Sequence, residues 1–299
     1  MKKTFIVLFL TLLISPFAYC MDQTMFKDLP PKDEMLVQIG DQPDKALNPN
    51  AFEVLVWNVY KAYCENEKAS GCDTKNWSDD FIHITKQSHI ILTQESVLSP
   101  IMYEVFEVLS NFQWNFAISF FQDNKHPTGV NTATSTGSKN KPIALRSPDK
   151  EGGFTTPKTI MVVYHKIAGQ KEELMSVNIH AINVHTLSAF KRHIKQTQDL
   201  IKQHNGPIFF AGDFNTHVKS RLKFLNKYFI QKLGFTKVPF KHEKDLTVYL
   251  KGKKVGILDH AYVRGLQVID SQVFGENCKS CNISSSDHKP FKVRLKLKP

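Results

Sequence analysis

A sandwich of two β-sheets flanked by helices is the architecture that the sequence predicts. Two observations carry it. Short apolar strands alternate with amphipathic helical stretches, and several neighbouring strands are joined by tight hairpin signals. No internal repeat and no compositional break marks a second domain, and 299 residues suffice for one large domain. At 41% hydrophobic and 22% charged residues, the composition excludes a disordered or fibrous chain.

The first segment stands outside that fold. Lys2 and Lys3 precede the apolar run "FIVLFLTLLI" (5–14), then Pro16 and Ala18-Tyr19-Cys20. A basic start, a short apolar run and a small-residue ending predict a secretory signal peptide over residues 1–20, and hence export to a periplasm or beyond the cell. A transmembrane anchor is the competing reading, but a span needs about 20 apolar residues. Cys20 also raises the thought of a lipoprotein, which the bulky Tyr19 before it fits poorly. After cleavage no transmembrane segment is expected. Residues 21–50 contain Pro30, Pro31, Pro43 and Pro49 and are expected to form a lead-in to a domain spanning 51–299.

Along the domain, "FEVLVWNVY" (52–60) alternates as a strand. A helix over about 78–88 leads to the strand "HIILTQES" (89–96). A helix at 101–112 and a strand at 114–121 follow. Residues 122–158, rich in Thr, Ser, Lys, Gly and Pro, are expected to be a long loop beside a cleft. "TIMVVYHKI" and "ELMSVNIHAI" form a hairpin across Ala168-Gly169-Gln170. Leu187, Phe190, Ile194 and Ile201 share one helical face, and "NGP" (205–207) ends that helix before the strand "IFFAGD". A helix over 219–233 and the strands "LTVYL", "HAYVRGLQVID" and "FKVRLKL" complete the chain.

Cysteines and charge bound the environment. Beyond Cys20 the chain has four cysteines, Cys64, Cys72, Cys278 and Cys281. An even count in an exported protein favours disulfides, with three connectivities available. Local pairs, Cys64 with Cys72 and Cys278 with Cys281, are preferred because both lie in polar, turn-rich segments. A four-cysteine zinc site is the rival, and the spacing suits it poorly. The formal net charge of +11, or +9 without Lys2 and Lys3, points to a polyanionic partner such as nucleic acid, anionic lipid or a phosphorylated small molecule. Solubility alone is the bland alternative.

Polar residues recur where apolar strands end. Asn58 closes the first strand, Glu95 the second and His180 a third, while Asp213 and Asn215 follow "IFFAG". Asp259 interrupts "GILDHAYVRG", and Asp287 and His288 lie in "SSSDHKPFKV". Each alone reads as a turn former, a cap or a core histidine; together they form a chemistry. Glu95, Asp287 and the amide oxygen of Asn58 are hard oxygen ligands suited to Mg²⁺, with Mn²⁺ or Ca²⁺ as substitutes. Histidines and further carboxylates supply a base, its orienting partner and phosphate donors for metal-assisted attack of water on a phosphate ester.

The ordered set "VWNV", "TQES", "NIHAI", "GDFNTH", "LDHAYVRG" and "SSDHKPFKV" resembles the endonuclease/exonuclease/phosphatase superfamily, which includes deoxyribonuclease I. The resemblance runs over about residues 52–297, and the pairing of "GDFN" with a later "SDH" is its specific part. It implies a four-layer α/β/β/α sandwich of two mixed, mainly antiparallel sheets, with the site where strand ends converge. It implies that Asn58, Glu95 and Asp287 serve a metal and that His180 stabilises charge on a phosphate oxygen. Asp213 and Asn215 would position water and phosphate. His288 would act as base with Asp259 fixing its tautomer, although whether Asp213 or His288 takes the proton is open. Glu151 is a candidate for the glutamate that supports the histidine of the "NxH" strand.

Departures from the family leave the substrate less defined than the reaction. Abasic-site endonucleases commonly have a second acid where Tyr60 stands, and the Trp-Cys-Asp-Arg segment of inositol polyphosphate 5-phosphatases is replaced by "ILDHAYVRG". Sphingomyelinases often continue differently after the "NxH" histidine. Lys158, Arg221 and Lys289 are candidate phosphate ligands, with Lys219, Lys223 and Lys292 as further cations near the motifs. The expectation is a monomeric, exported, Mg²⁺-dependent phosphodiesterase that cuts DNA or RNA with little sequence preference. A phospholipid or inositol-phosphate hydrolase is the alternative within the class, and a non-catalytic binding module on this fold is the alternative outside it.

Overall fold

The computed structural model describes residues 29–62, 77–122, 125–151, 156–250, 252–277, 283 and 285–298. The predicted signal segment and the four cysteines proposed for disulfides lie outside the described residues. Two sheets form the centre. The first has the order β1 (Leu36–Ile39), β4 (Gln113–Gln122), β5 (His126–Thr134), β3 (Ile90–Val97), β2 (Phe52–Asn58), β15 (Phe291–Leu297) and β14 (Leu266–Val273). The second has the order β10 (Thr236–Lys237), β13 (Asp259–Arg264), β9 (Ile208–Asp213), β8 (Leu174–His180), β7 (Thr159–His165) and β6 (Ile143–Arg146). A separate ribbon pairs β11 (Thr247–Leu250) with β12 (Lys253–Ile257).

Apolar side chains make the layers. Val54, Val56, Ile90, Leu92, Val293 and Leu295 of the first sheet meet Phe209, Ala211, Ala261 and Val263 of the second in one buried cluster. Each Val, Leu, Ile or Phe among them stabilises the sandwich by roughly 1.5–3 kcal/mol, the alanines less. On the outer face of the first sheet, Trp57, Trp114 and Phe116 pack under α1 (Trp77–Thr85) and α2 (Pro100–Val108). Outside the second sheet, Val177, Ile179 and Phe210 pack under α3 (Leu187–Lys195), α4 (Gln198–Gln203) and α5 (Lys219–Leu225) with its π-helical extension to Lys232. The architecture is therefore the four-layer α/β/β/α sandwich. Among the described residues no helix is long and apolar enough to cross a membrane.

Five segments differ from the sequence reading, one of them residues 143–146, which fall in the expected loop but form the edge strand β6 paired with β7. Residues 36–39, expected in a lead-in, are the edge strand β1, paired antiparallel with β4; Met35 before it is buried, and Leu47 is buried in a bridge to Ile167. Residues 126–134, expected as loop, are the buried strand β5 between β4 and β3. Its Thr content hid it, because these hydroxyls find partners inside: Thr128 donates to the Ser96 carbonyl, and the Thr134 hydroxyl pairs with His165. "HAYVRGLQVID" is two strands in different sheets, since Gly265, at φ +69°, turns the chain from β13 to β14. The helix carrying Leu187 to Ile201 is broken at Gln196-Thr197, where the Thr197 hydroxyl donates to the Ile194 carbonyl.

Register puts the strand ends together. The parallel pair β2 and β3 aligns Asn58 with Gln94, next to Glu95. The parallel pair β8 and β9 aligns His180 with Asp213, and antiparallel β13 sets Asp259 on the other side of Asp213. His180, Asp213 and Asp259 thus form one row along the end of the second sheet. Gly212 permits this closeness: a Cβ there would meet the Ile179 carbonyl oxygen at 2.1 Å.

Candidate active site

Asp213 lies at the centre of the site. Its Oδ1 accepts the Asn215 backbone N–H at 2.8 Å, which fixes the carboxylate plane. Its Oδ2 accepts from Asn58 Nδ2 at 3.1 Å and faces His180 Nε2 at 3.6 Å and His288 Nε2 at 4.0 Å. One oxygen therefore sits before three nitrogen groups, two of them carried by the first sheet. Asn215, in the left-handed region at φ 50°, donates from its side chain to the Ala181 carbonyl at 2.8 Å, tying together the exits of β8 and β9.

His288 is held from both ends. Its Nδ1 is 2.6 Å from Asp259 Oδ2, and its backbone carbonyl accepts from Trp57 Nε1 at 3.1 Å. Ser286 supports the same turn, donating to the Asn58 carbonyl at 2.8 Å and accepting from the His288 N–H. Burial opposes a charge on His288, but Asp259, Asp287 and Asp213 outweigh it and raise the imidazole well above its ordinary value. His180 behaves oppositely: burial, with Lys158 adding to it, holds it well below the ordinary range and so neutral. Its approaches to Glu95 and Asp213 are polar contacts rather than ion pairs. Burial lifts the Asp213 carboxyl to about 7, with Asp259 and Glu95 adding and His288 opposing.

Glu95 lies within a bulge of β3 and has φ 51°. Its Oε1 accepts from Asn58 Nδ2 at 3.4 Å and faces His180 Nε2 at 3.8 Å, while Oε2 lies 3.8 Å from Lys61 Nζ. Burial acts to raise Glu95, but Lys61, His180, Lys158 and His288 together hold it at about 2. Asp287 is partly exposed and raised, chiefly by burial and also by Glu95 and Asp259. Among the described residues no group of three or more His, Cys, Asp or Glu side chains is arranged as a metal cage. Glu95 and Asp287 still fit a Mg²⁺ ion, which keeps several waters and takes only one or two carboxylates. The amide oxygen of Asn58 remains available as their partner: Oδ1 accepts the Tyr60 N–H at 3.1 Å and keeps a second lone pair. Its Nδ2 meanwhile donates to Glu95 Oε1 and Asp213 Oδ2, bridging the two carboxylates.

The three candidate phosphate ligands divide. Lys158 belongs to the site: its ammonium is 3.4 Å from Glu151 Oε2, and Glu151, Glu95 and Asp213 raise it against burial. Arg221 does not reach into the cleft. Its buried guanidinium donates to the carbonyls of Ile182, Asn215, Asn183 and His185 and stacks on Phe190. It braces the loops after β8 and β9, a role that a basic residue on a solvated helix does not suggest. Lys289 donates to the Ile283 carbonyl, and its charged neighbours are Glu276, Asp245 and Asp80 rather than the site carboxylates. Glu151, expected beside His180, pairs with Lys158 and accepts the Asn183 N–H. Sequence reasoning missed Lys61, and it missed the buried amides Gln94 and Asn178, which bond at 2.7 Å between the two sheets beneath the site. The amides lie within the "TQES" and "NIHAI" strings, so their position was a usable signal; nothing marked Lys61.

Comparison with known proteins agrees with this architecture. A protein of Vibrio campbellii named UPF0294 protein is 28% identical over 258 residues, covering 86% of this chain and 81% of its own. An endonuclease/exonuclease/phosphatase family protein from Leptotrichia buccalis superposes with a TM-score of 0.61 at 16% identity, covering 82% of this chain and 100% of its own. ANGEL2, described as a 2′,3′-cyclic phosphatase in complex with adenosine-2′,3′-vanadate, superposes with a TM-score of 0.62 at 12% identity, covering 84% of this chain and 96% of its own. These two likenesses speak to the fold. The family model described as Endonuclease/Exonuclease/phosphatase family matches residues 55–288. That span opens inside β2 and closes on His288, taking in every strand end that carries a site residue, and the chain belongs to the endonuclease/exonuclease/phosphatase family.

Proposed function

We propose that the protein is an exported, divalent-metal-dependent phosphodiesterase that cleaves nucleic acid by attack of water on phosphorus. The observation that carries this reading is the convergence of Asn58, His180 and His288 on a single oxygen of Asp213, opposite Glu95. Glu95 and Asp287 would hold the cation, which when bound supplies Lewis-acid polarisation of the phosphate.

The protein's own groups divide the remaining work by their charge. Asp213, lifted to about 7, has the basicity suited to taking a proton from water near neutral pH. His288, kept protonated by three carboxylates, is a poor base at that pH and instead offers an N–H to a phosphate oxygen. His180 is neutral and adds a hydrogen bond without adding charge. Lys158 attracts the phosphate. A substrate with many phosphates suits the formal charge, +11 for the whole chain and +9 without Lys2 and Lys3. Export rests on the signal-like segment 1–20.

A second reading, hydrolysis of a phospholipid headgroup, is favoured by Val184 and Val218. These are 55% and 45% exposed on the loops that follow β8 and β9 at the site. Supercoiled plasmid, sphingomyelin vesicles and phosphoinositide vesicles, each incubated with Mg²⁺ or EDTA and with the wild type or Asp213→Ala, separate the two. Metal-dependent nicking lost in the variant supports the nuclease. Hydrolysis of lipid without nicking replaces it with the second reading.

A further inference from the structure

Lys61 reaches Glu95 by an unusual path. Tyr60 and Lys61 lie consecutively in the left-handed region, at φ 47° and 56°. L residues avoid that region, and two in succession need a local reason. The Tyr60 N–H donates to Asn58 Oδ1, and this bond turns the chain back so that the Lys61 ammonium comes within 3.8 Å of Glu95 Oε2. The two oxygens of Glu95 are thereby addressed by different chemistry. Oε1 faces the nitrogens of Asn58 and His180, whereas Oε2 faces the ammonium.

A divalent cation bound by Glu95 has to share the carboxylate with that ammonium. Two cations on one oxygen repel, and Asn58 and His180 already crowd the other. Of these groups Lys61 is the one able to move, having a flexible stem and a compact charge with three rotatable donors. Lys158 also lies within electrostatic range of Lys61, so an anion between the two ammoniums relieves their repulsion. We infer that Lys61 is a resident counter-ion of Glu95, displaced from Oε2 when the metal binds and transferred to a non-bridging oxygen of the substrate phosphate. This rests on the metal-dependent reading above. It adds that metal and phosphate compete for, and then share, one lysine.

The test is Mn²⁺ binding by the full chain without substrate, followed by isothermal titration and by the electron paramagnetic resonance of free Mn²⁺. Lys61→Gln is expected to bind Mn²⁺ about threefold to fivefold more tightly, the range of a partly exposed ion pair. Lys61→Arg is expected to keep the weaker wild-type affinity. In hydrolysis, Lys61→Gln is expected to raise KM more than it lowers kcat, with Arg restoring KM. Lys61→Met repeats the titration if Lys61→Gln fails to fold by circular dichroism. Mn²⁺ affinity equal to wild type in the uncharged variants overturns the inference. Glu95→Gln separates the two levels: if it leaves wild-type Mn²⁺ binding unchanged, the assignment of metal to Glu95 fails and the counter-ion role with it. If it abolishes binding while Lys61→Gln matches wild type, only the counter-ion role fails.

Discussion

The His288 imidazole, carried by the segment before β15 of the first sheet, meets Asp259 at the start of β13 of the second at 2.6 Å. This contact crosses the sandwich and sets the charge of the histidine. Asp259 is the largest of the three carboxylate influences that raise His288. Replacing Asp259 by Asn is therefore expected to bring the His288 titration down toward the ordinary histidine range, read from its Cε1 proton by NMR. Activity should fall about 10²- to 10⁴-fold, as when a catalytic imidazole loses its orienting carboxylate. An unmoved titration would show that Asp259 is a structural brace alone.

Asp213 sets activity against stability. Burial raises its carboxyl to about 7 in the fold, against about 3.9 in an unfolded chain. The folded state thus holds this proton more tightly, so the group's contribution is fully present below about pH 4 and is lost as pH rises through about 7. Asp213→Asn removes that loss. At pH 8 it should be more stable than the wild type by at most a few kcal/mol, at about 1.36 kcal/mol per pKa unit, and so unfold at a higher temperature. Hydrolysis should fall by about 10²-fold or more. Wild-type activity should climb with pH toward neutrality as the carboxylate forms. A variant less stable than wild type at pH 8 would contradict the raised value.

Arg221→Met tests bracing against phosphate binding. Four backbone carbonyls lose a buried donor, and each unsatisfied group costs about 1–3 kcal/mol, so a loss of roughly 3 kcal/mol or more is expected in urea unfolding. The salt dependence of nucleic-acid binding should not change. Lys158→Gln should instead reduce the slope of log K against log salt by about 0.7–0.9, as expected for one lost phosphate contact. A shallower slope in Arg221→Met would return that residue to the substrate.

His165, His193 and His260 are buried, and burial holds each at about 3. They are neutral in the fold but take protons readily once unfolded. Stability from these residues is present above the unfolded value of about 6.5 and is lost as pH falls through the window down to about 3. Each contributes a slope approaching about 1.36 kcal/mol per pH unit inside that window. Urea midpoints should drop steeply from pH 6.5 to 4.5, and a flat profile would be inconsistent with three neutral buried imidazoles. Replacing His165, which bonds Thr134 and Ser176 at 2.9 and 2.8 Å, by Gln should make the curve measurably shallower, with His193, His260 and the equally neutral His180 keeping the rest of the slope.

The sequence made the strand ends readable because an apolar run that stops on an acid or amide leaves a visible edge, as at Asp213 after "IFFAG" and Glu95 after "IILTQ". Alternation and hairpin signals likewise expose a sandwich. Other features left no such edge. Strand β5 is disguised by threonines whose hydroxyls bond across the sheet, and Gly265 looks like an interior strand glycine although it moves the chain between sheets. The donor role of Asn58 depends on which way its amide faces, and that is set by the Tyr60 N–H rather than by residue type. Arg221 resembles any cation on a solvated helix until the loops it binds are folded over it. Lys61 owes its place to two consecutive left-handed residues, neither of them glycine, and no composition rule anticipates that turn.

Strand β15 lies between β2 and β14, and His288 stands three residues ahead of it. During synthesis, then, the first strand of the central pairing has to wait for a partner made more than two hundred residues later. Until that stretch leaves the ribosome, the emerging chain lacks both the strand that joins β2 to β14 and the imidazole that meets Asp259. The row of side chains at the strand ends is therefore complete only once nearly the whole domain has been made.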